Sequence, residues 1–148
     1  MTPTQDTKQA ASVKSDIFHF PKGLPGFEEL HEFYLQEHNE IFSLLSAVDQ
    51  PAVSFITVNP FDFHADYEFE LSGEITEELS IQDESQVAVR CIVTWHSQRS
   101  LTTVNLLAPI IFNTEKHAGK QIILQNTSYT TKHPLWNTAG SDRKDGEG

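Results

Sequence analysis

The sequence predicts an all-β chain: a small single-domain β-barrel-like or sandwich fold of short antiparallel strands with one or two short helical turns. Short β-prone runs recur at roughly 8–12 residue spacing, punctuated by Pro, Gly and Asn turns. Helical periodicity is almost absent along the same stretch. The 148 residues, 38% hydrophobic and 10% aromatic, are enough for one domain with its own core. That domain is expected over 16–136, between flexible polar tails at 1–15 and 137–148.

The elements follow in order. Ile17-Phe18-His19-Phe20 is β-rich and stops at Pro21. Lys22 to Gly26 reads as a turn, with Pro25 fixing φ and the glycines free to take φ > 0. Glu32–Gln36 and Ile41–Leu45 are strands split by the polar 37–40 turn, and Val53–Val58 is a strand ending at Asn59-Pro60. Tyr67-Glu68-Phe69-Glu70-Leu71 alternates, which predicts a strand with Tyr67, Phe69 and Leu71 facing in. Thr76–Leu79 reads as one helical turn capped by Thr76. Gln86–Trp95 is the strongest strand. Val87, Val89, Cys91, Val93 and Trp95 share one face, and the mixed other face predicts a central strand covered on both sides. Leu101–Leu107 reads as its hairpin partner. Pro109–Asn113 is a further strand, with Pro at its start where no ladder donor is lost. Glu115–Lys120 reads as a loop or short helix closing at Gly119, and Gln121–Gln125 as the last strand.

Charge narrows the function classes. The formal net charge is −11, and from Gly26 to Ser85 there is no Lys or Arg but fifteen carboxylates, Glu28 through Glu84. A chain of this kind repels nucleic acid, whose binding depends on phosphate neutralisation. It suits basic protein partners steered by complementary charge. The longest apolar run, Leu106–Phe112, is far shorter than the roughly 18 residues of a membrane helix. Met1–Val13 has no apolar stretch of the kind a secretory signal carries. Cys91, alone and set among valines, excludes a disulfide framework and fits a reducing cytoplasm.

No enzyme signature emerges. The seven histidines (His19, His31, His38, His64, His96, His117 and His133) form no His-x-His or HExxH pair, so no metal and no cofactor are expected. The nucleophile elbow, the phosphate-binding loop and the dinucleotide glycine pattern are missing. Cys91 lies mid-strand, where a thiol is inert. Glu68 and Glu70 share a strand face, but that spacing is the ordinary outward face of a half-buried strand.

Several segments, in order, resemble one family. Phe20-Pro21-Lys22-Gly23-Leu24-Pro25-Gly26-Phe27-Glu28 is similar to the opening F-x-x-G-L-x-G-F-E of the FliW flagellar assembly factors. Phe33-Tyr34-Leu35 resembles the strand that follows it. Val58-Asn59-Pro60-Phe61, Phe63 and Asp66-Tyr67 resemble its D-P-x-x-F-x-x-D-Y segment. Thr103 through Asn113 resembles T-x-N-L-x-A-P-I-x-x-N. Gln121–Leu124, Tyr129 and Thr131-Lys132-His133 resemble the closing strand and its Y-x-x-R/K-H end. The resemblance spans about 17–135. Lys132 stands where Arg is common, and both tails extend past the usual short form.

The resemblance implies two protein partners, CsrA and flagellin. CsrA is a basic dimeric RNA-binding repressor of flagellin translation. Free flagellin would occupy the protein; once flagellin is exported, the released protein would bind CsrA and translation would resume. The partner-binding candidates are Phe27, Glu28, Phe61, Glu68, Glu70, Asn105, Pro109, Phe112, Asn113 and Tyr129, taken from the family motifs and the acidic stretch. Phe27, Phe61, Phe63 and Phe112 lie beside turns, where anchors sit, although aromatic residues also build cores. Asn105 and Asn113 flank a Pro-containing bend and suit backbone capping equally well. A cytoplasmic protein, monomeric when free, is expected. The alternatives are a β-barrel binding a small acyl or sugar ligand among interior aromatics, and a hydrolase using carboxylates.

Overall fold

The β-prone runs become nine strands: β1 Ser15–His19, β2 Glu32–Glu37, β3 Phe42–Ala47, β4 Ser54–Val58, β5 Val87–Thr94, β6 Thr103–Val104, β7 Ile110–Asn113, β8 Ala118–Gln121 and β9 His133–Pro134. The structure, a computed structural model, describes residues 15–136. The segments expected as tails lie outside that range, apart from Ser15, which opens β1. One helix, α1 Gly73–Glu78, and three single 3-10 turns complete the described elements.

The strand order β4-β3-β2-β1-β8-β7-β5 closes on itself because β5 also pairs with β4, through Thr57↔Ile92 and Val58↔Cys91. The result is a closed barrel, in which each of these strands has a neighbour on both sides over at least part of its length. All neighbours are antiparallel except β1 and β8, which meet in parallel at His19↔Ala118. β6 and β9 extend from the far end of β5 as a small second sheet.

Side-chain alternation explains why closure works. The row Phe18↔Phe33↔Ala47 faces the barrel interior. So does Ala88↔Phe112↔Gly119. Apart from Gly119, these residues belong to one buried cluster with Phe20, Leu35, Leu45 and Ile110. Its rings meet edge to face: Phe18 and Phe112 at 4.8 Å, Phe20 and Phe33 at 5.2 Å, Phe20 and Phe112 at 5.8 Å. The interior is therefore packed with aromatic side chains that meet one another, where the alternative reading has them line a ligand chamber. Gly119 is required there, since a Cβ on it would come within 2.5 Å of the Phe20 ring. Gly23 is required for another reason: it turns at φ +64°, and a Cβ would lie 2.6 Å from the Phe27 carbonyl oxygen.

The outer face of β4, β5 and β7 carries a second core. Val58, Val87, Val89, Cys91, Val93 and Ile111 pack beneath a covering layer made of Phe61, Tyr67, Phe69, Leu71, Leu79 and Ile81, joined by Leu106 and Leu135. β5 is thus buried on both faces, as its composition predicts. On its barrel side Arg90 is buried and donates to the Val89 carbonyl at 2.8 Å. Burial pushes the Arg90 pKa down, opposed by the Glu37 and Asp62 carboxylates.

Several sequence expectations are corrected. Tyr67–Leu71 does alternate, with Tyr67, Phe69 and Leu71 buried and Glu68 and Glu70 exposed, but it is none of the nine strands. Its period comes from an extended chain laid over a core. The helix cap is Ser72, whose hydroxyl accepts from Ile75 N at 3.2 Å; Thr76 lies inside α1. Gly119 sits within β8 and ends no helix, because the 114–117 turn feeds directly into that strand. After β8, residues 122–125 keep only two ladder bonds, Ile122 N to Pro109 O and Leu124 N to Leu107 O. Of Leu101–Leu107, only Thr103–Val104 pairs as a strand, and Arg99–Leu101 is a 3-10 turn. Trp95 leaves the valine face once β5 ends at Thr94, and it is 55% exposed.

Gly119→Ala is expected to lower stability by about 1–3 kcal/mol, the usual cost of overpacking a filled interior. Chemical denaturation reads this as a reduced midpoint; an unchanged midpoint would mean the Phe20 ring has room to move.

Candidate partner-binding surfaces

The covering layer sets the acidic residues in position. Its chain is extended from Tyr67 to Leu71, so burying the odd-numbered side chains against the second core turns Glu68 and Glu70 to water. Ser72 then starts α1, which adds exposed Glu74 and Glu77. A groove of about 730 Å³ runs beside this segment; Glu68, Glu70 and Ile75 line one wall, and Lys120, Ile122 and Ile123 the other. Ile123 is 63% exposed. Tyr129 braces this segment: its hydroxyl accepts from Glu68 N at 3.2 Å, and its ring lies 4.7 Å from that of Tyr67.

Glu78 differs from its neighbours. Lys120 Nζ donates to both its carboxylate oxygens, at 2.9 and 3.1 Å, and Lys22 stands at 3.7 Å. The hydrogen bond from Lys120 is the main cause holding the Glu78 carboxyl below the usual range. This carboxylate fastens α1 to β8 and is structural.

The other candidates are dispersed. Phe61, Pro109, Phe112 and Asn113 are buried and present no surface to a partner in this conformation. Phe61 packs on Tyr67 at 5.8 Å, and Phe112 fills the barrel. The Asn113 side chain makes four hydrogen bonds: its amide nitrogen donates to the Leu79 and Ser80 carbonyls, and its Oδ1 accepts from Glu115 N and Lys116 N. It locks the end of α1 to the turn after β7. Asn105 caps its own bend by accepting from Ala108 N at 2.9 Å. Phe27 packs on Phe55 at 5.8 Å, while Glu28 accepts from Gly26 N and is exposed. Of the candidates, Glu68 and Glu70 line the groove, and Tyr129 meets the same segment through the hydrogen bond from Glu68 N.

The structure also gathers a second group of aromatic residues. The rings of Phe42 and Trp95 lie 5.8 Å apart, those of Trp95 and Trp136 6.1 Å, and those of Phe63 and Trp136 6.4 Å. The Arg99 guanidinium stacks 4.3 Å above Trp136. Two tryptophans beside polar turns were the available signal.

The buried thiol and phenol of the second core are not activated. Cys91 is fully buried, and burial pushes its thiol up to about 12, so it is protonated at neutral pH. Tyr67 is likewise raised, mainly by burial, and donates to Leu106 O at 2.7 Å. Among the described residues no group of three or more His, Cys, Asp or Glu is placed to hold a metal ion. No helix among them is long and apolar enough to cross a membrane.

A closed barrel with a covering layer, a filled interior, and acidic and aromatic outer surfaces defines a class: small β-barrel proteins whose distinctive features lie on their outer surface. A family model described as FliW protein matches residues 3–135, and the chain belongs to that family, the FliW flagellar assembly factors. It is 42% identical to the flagellar assembly factor FliW of Clostridium novyi (strain NT) over 125 residues, covering 83% of this chain and 87% of the relative. The corresponding protein of Geobacillus kaustophilus (strain HTA426) is 41% identical over 124 residues, covering 83% and 86%. A crystal structure of the flagellar assembly factor FliW superposes with a TM-score of 0.79 at 41% identity, covering 82% of this chain and 86% of that one. The family match begins at residue 3, so the N-terminal stretch expected to extend beyond the family falls largely within it.

One titration in the covering layer gives a test. Burial, and then the neighbouring His133 at a ring distance of 4.8 Å, hold the His64 imidazole below its ordinary 6.5. The unfolded chain takes up this proton first as pH falls. Stability should therefore drop from about pH 6.5 down to the folded value. His64→Gln should flatten the curve of unfolding free energy in that window, and an unchanged slope would show that His64 is not its source.

Proposed function

We propose that this chain works in the cytoplasm as a partner-switching assembly factor. It binds the basic repressor CsrA to relieve repression of flagellin synthesis, and it binds flagellin in alternation. No covalent chemistry of its own enters this cycle. The observation that carries the reading is the cation-free stretch from Gly26 to Ser85, of whose fifteen carboxylates most are exposed, Glu68, Glu70, Glu74 and Glu77 on the covering layer among them. Membership of the FliW family supports a role in flagellar assembly.

Physically, a field of this sign draws a cationic protein into encounter and orients it before short-range contacts form. Once docked, the same carboxylates raise the cost of bringing RNA phosphates near the repressor. The groove between the 68–75 segment and β8 offers apolar area at Ile75, Ile122 and Ile123 to hold what charge has steered in.

Gel filtration of the chain with CsrA, with flagellin, and with both in competition tests the cycle: each should co-elute alone and flagellin should displace CsrA. Glu68→Lys, Glu70→Lys, Glu74→Lys and Glu77→Lys together, with Glu78 kept for the fold, should slow association with CsrA by roughly tenfold or more at low salt. Raising salt toward 1 M, where the Debye length falls to about 3 Å, should bring wild type and variant together. A variant that associates as fast as wild type at low salt would refute steering by this face.

A further inference from the structure

We propose that the acidic groove takes its partner as an added β-strand: an extended segment, in which aliphatic residues alternate with lysine or arginine, pairs along the open edge of β8 and its continuation to Gln125. The inference rests on the reading of this groove as a partner site and adds how a partner is held there.

The open edge follows from the ladder. β8 and the residues after it run beside β7 and the residues before it: Gln121 is opposite Ile110, Ile122 N donates to Pro109 O at 3.0 Å, and Leu124 N donates to Leu107 O at 2.9 Å. Along a strand, successive residues aim their backbone groups at opposite edges. Ile122 and Leu124 therefore face that neighbour, and Gln121 and Ile123 face the other way. The neighbour on the other side is β1, which meets β8 at the single pair His19↔Ala118, because β1 ends at His19 and the chain turns at Pro21. Among the described residues no strand covers the edge past Ala118. The Ile123 carbonyl accepts from the Gln125 side-chain amide at 3.4 Å, a long contact that a backbone donor can displace.

This edge selects the occupant. An unpaired row of N–H and C=O groups is a template for another extended chain. The middle of a helix cannot answer it, because its backbone groups bond within the helix. The groove runs along 120–127, and Leu107 and Pro109 are not among the residues that line it, so it opens away from the paired edge. Its walls set the side chains. A strand's side chains alternate, so every second one can enter against Ile75 and Ile122, and those between lie toward the exposed carboxylates of Glu68 and Glu70. Lys120, the cation that lines the groove, is bound by Glu78 at 2.9 Å. Neither 1–14 nor 137–148 alternates aliphatic with basic residues, so the strand comes from a separate protein.

The probe is a short peptide of alternating lysine and valine, compared by calorimetric titration of the full chain with the same peptide N-methylated at every residue. Methylation keeps the charge and the side chains but removes the backbone donors. The plain peptide should bind roughly tenfold more tightly, a ratio that a few net backbone hydrogen bonds supply. Ile123→Pro deletes the outward N–H and spares the bonds of Ile122 and Leu124, so it should abolish the preference. Ile123→Ser keeps that N–H and should retain it. If Ile123→Pro fails to fold, the Ile123 amide of wild type gives the same answer by NMR: its hydrogen exchange should slow when the plain peptide is added. Equal affinity for the two peptides, no binding of either, a preference that survives in folded Ile123→Pro, or unchanged exchange at Ile123 would overturn the added strand. Failure of the groove reading itself shows separately, as association with CsrA that Glu68→Lys, Glu70→Lys, Glu74→Lys and Glu77→Lys together leave unchanged.

Discussion

Burial of β5 on both faces is the constraint on which the rest of the structure depends. Ala88 and Ile92 pack toward the barrel interior, while Val87, Val89, Cys91 and Val93 pack outward beneath the covering layer. The strand pairs with β4 and β7, so it closes the barrel and also supports the second core. Fully burying a valine-sized side chain is worth about 1.5–3 kcal/mol. Without β5 the barrel opens and the covering layer loses its floor. Tyr67 secures that layer from the other side by donating to the Leu106 carbonyl, and its ring fills the space above Cys91.

The outer surfaces follow from this arrangement. A chain that must cover β5 and β7 in extended form turns every second side chain outward, and in this sequence those are glutamates. The acidic face is therefore the reverse side of the second core. The aromatic face arises at the margin of that cover: Phe42 and Ile56 pack against the edge of the second core and stay half-buried, and Trp95 leaves β5 just past its last paired residue. Both surfaces rest on a frame whose interior is closed and filled.

Much of the fold was legible in the sequence because alternation and turn residues act locally. The strands up to Val58, the central strand from Gln86, and the all-β class follow from period-two patterning and from Pro, Gly and Asn boundaries. The errors arose where a local pattern has two tertiary solutions. Tyr67–Leu71 alternates because it is laid over a core, and alternation alone does not reveal whether backbone bonds go to a neighbour. Gly119 looked like a stop but is a strand residue whose missing Cβ admits the Phe20 ring. The candidate surfaces were less legible. Glu68, Glu70 and Tyr129 do converge, whereas Phe112 and Asn113 serve packing and capping, since a family motif marks positions the fold needs as readily as positions a partner touches. The Lys120–Glu78 bridge joins residues distant in sequence and left no local signal.

If partners are held on the covering layer of a rigid frame, hydrogen–deuterium exchange of the chain alone and saturated with CsrA tests this most directly. Slowed exchange across residues 66–78 on binding, with β5 equally slow in both states, is the expected result. Exchange across 66–78 that stays unchanged at saturation, or a change concentrated in β5, would contradict it.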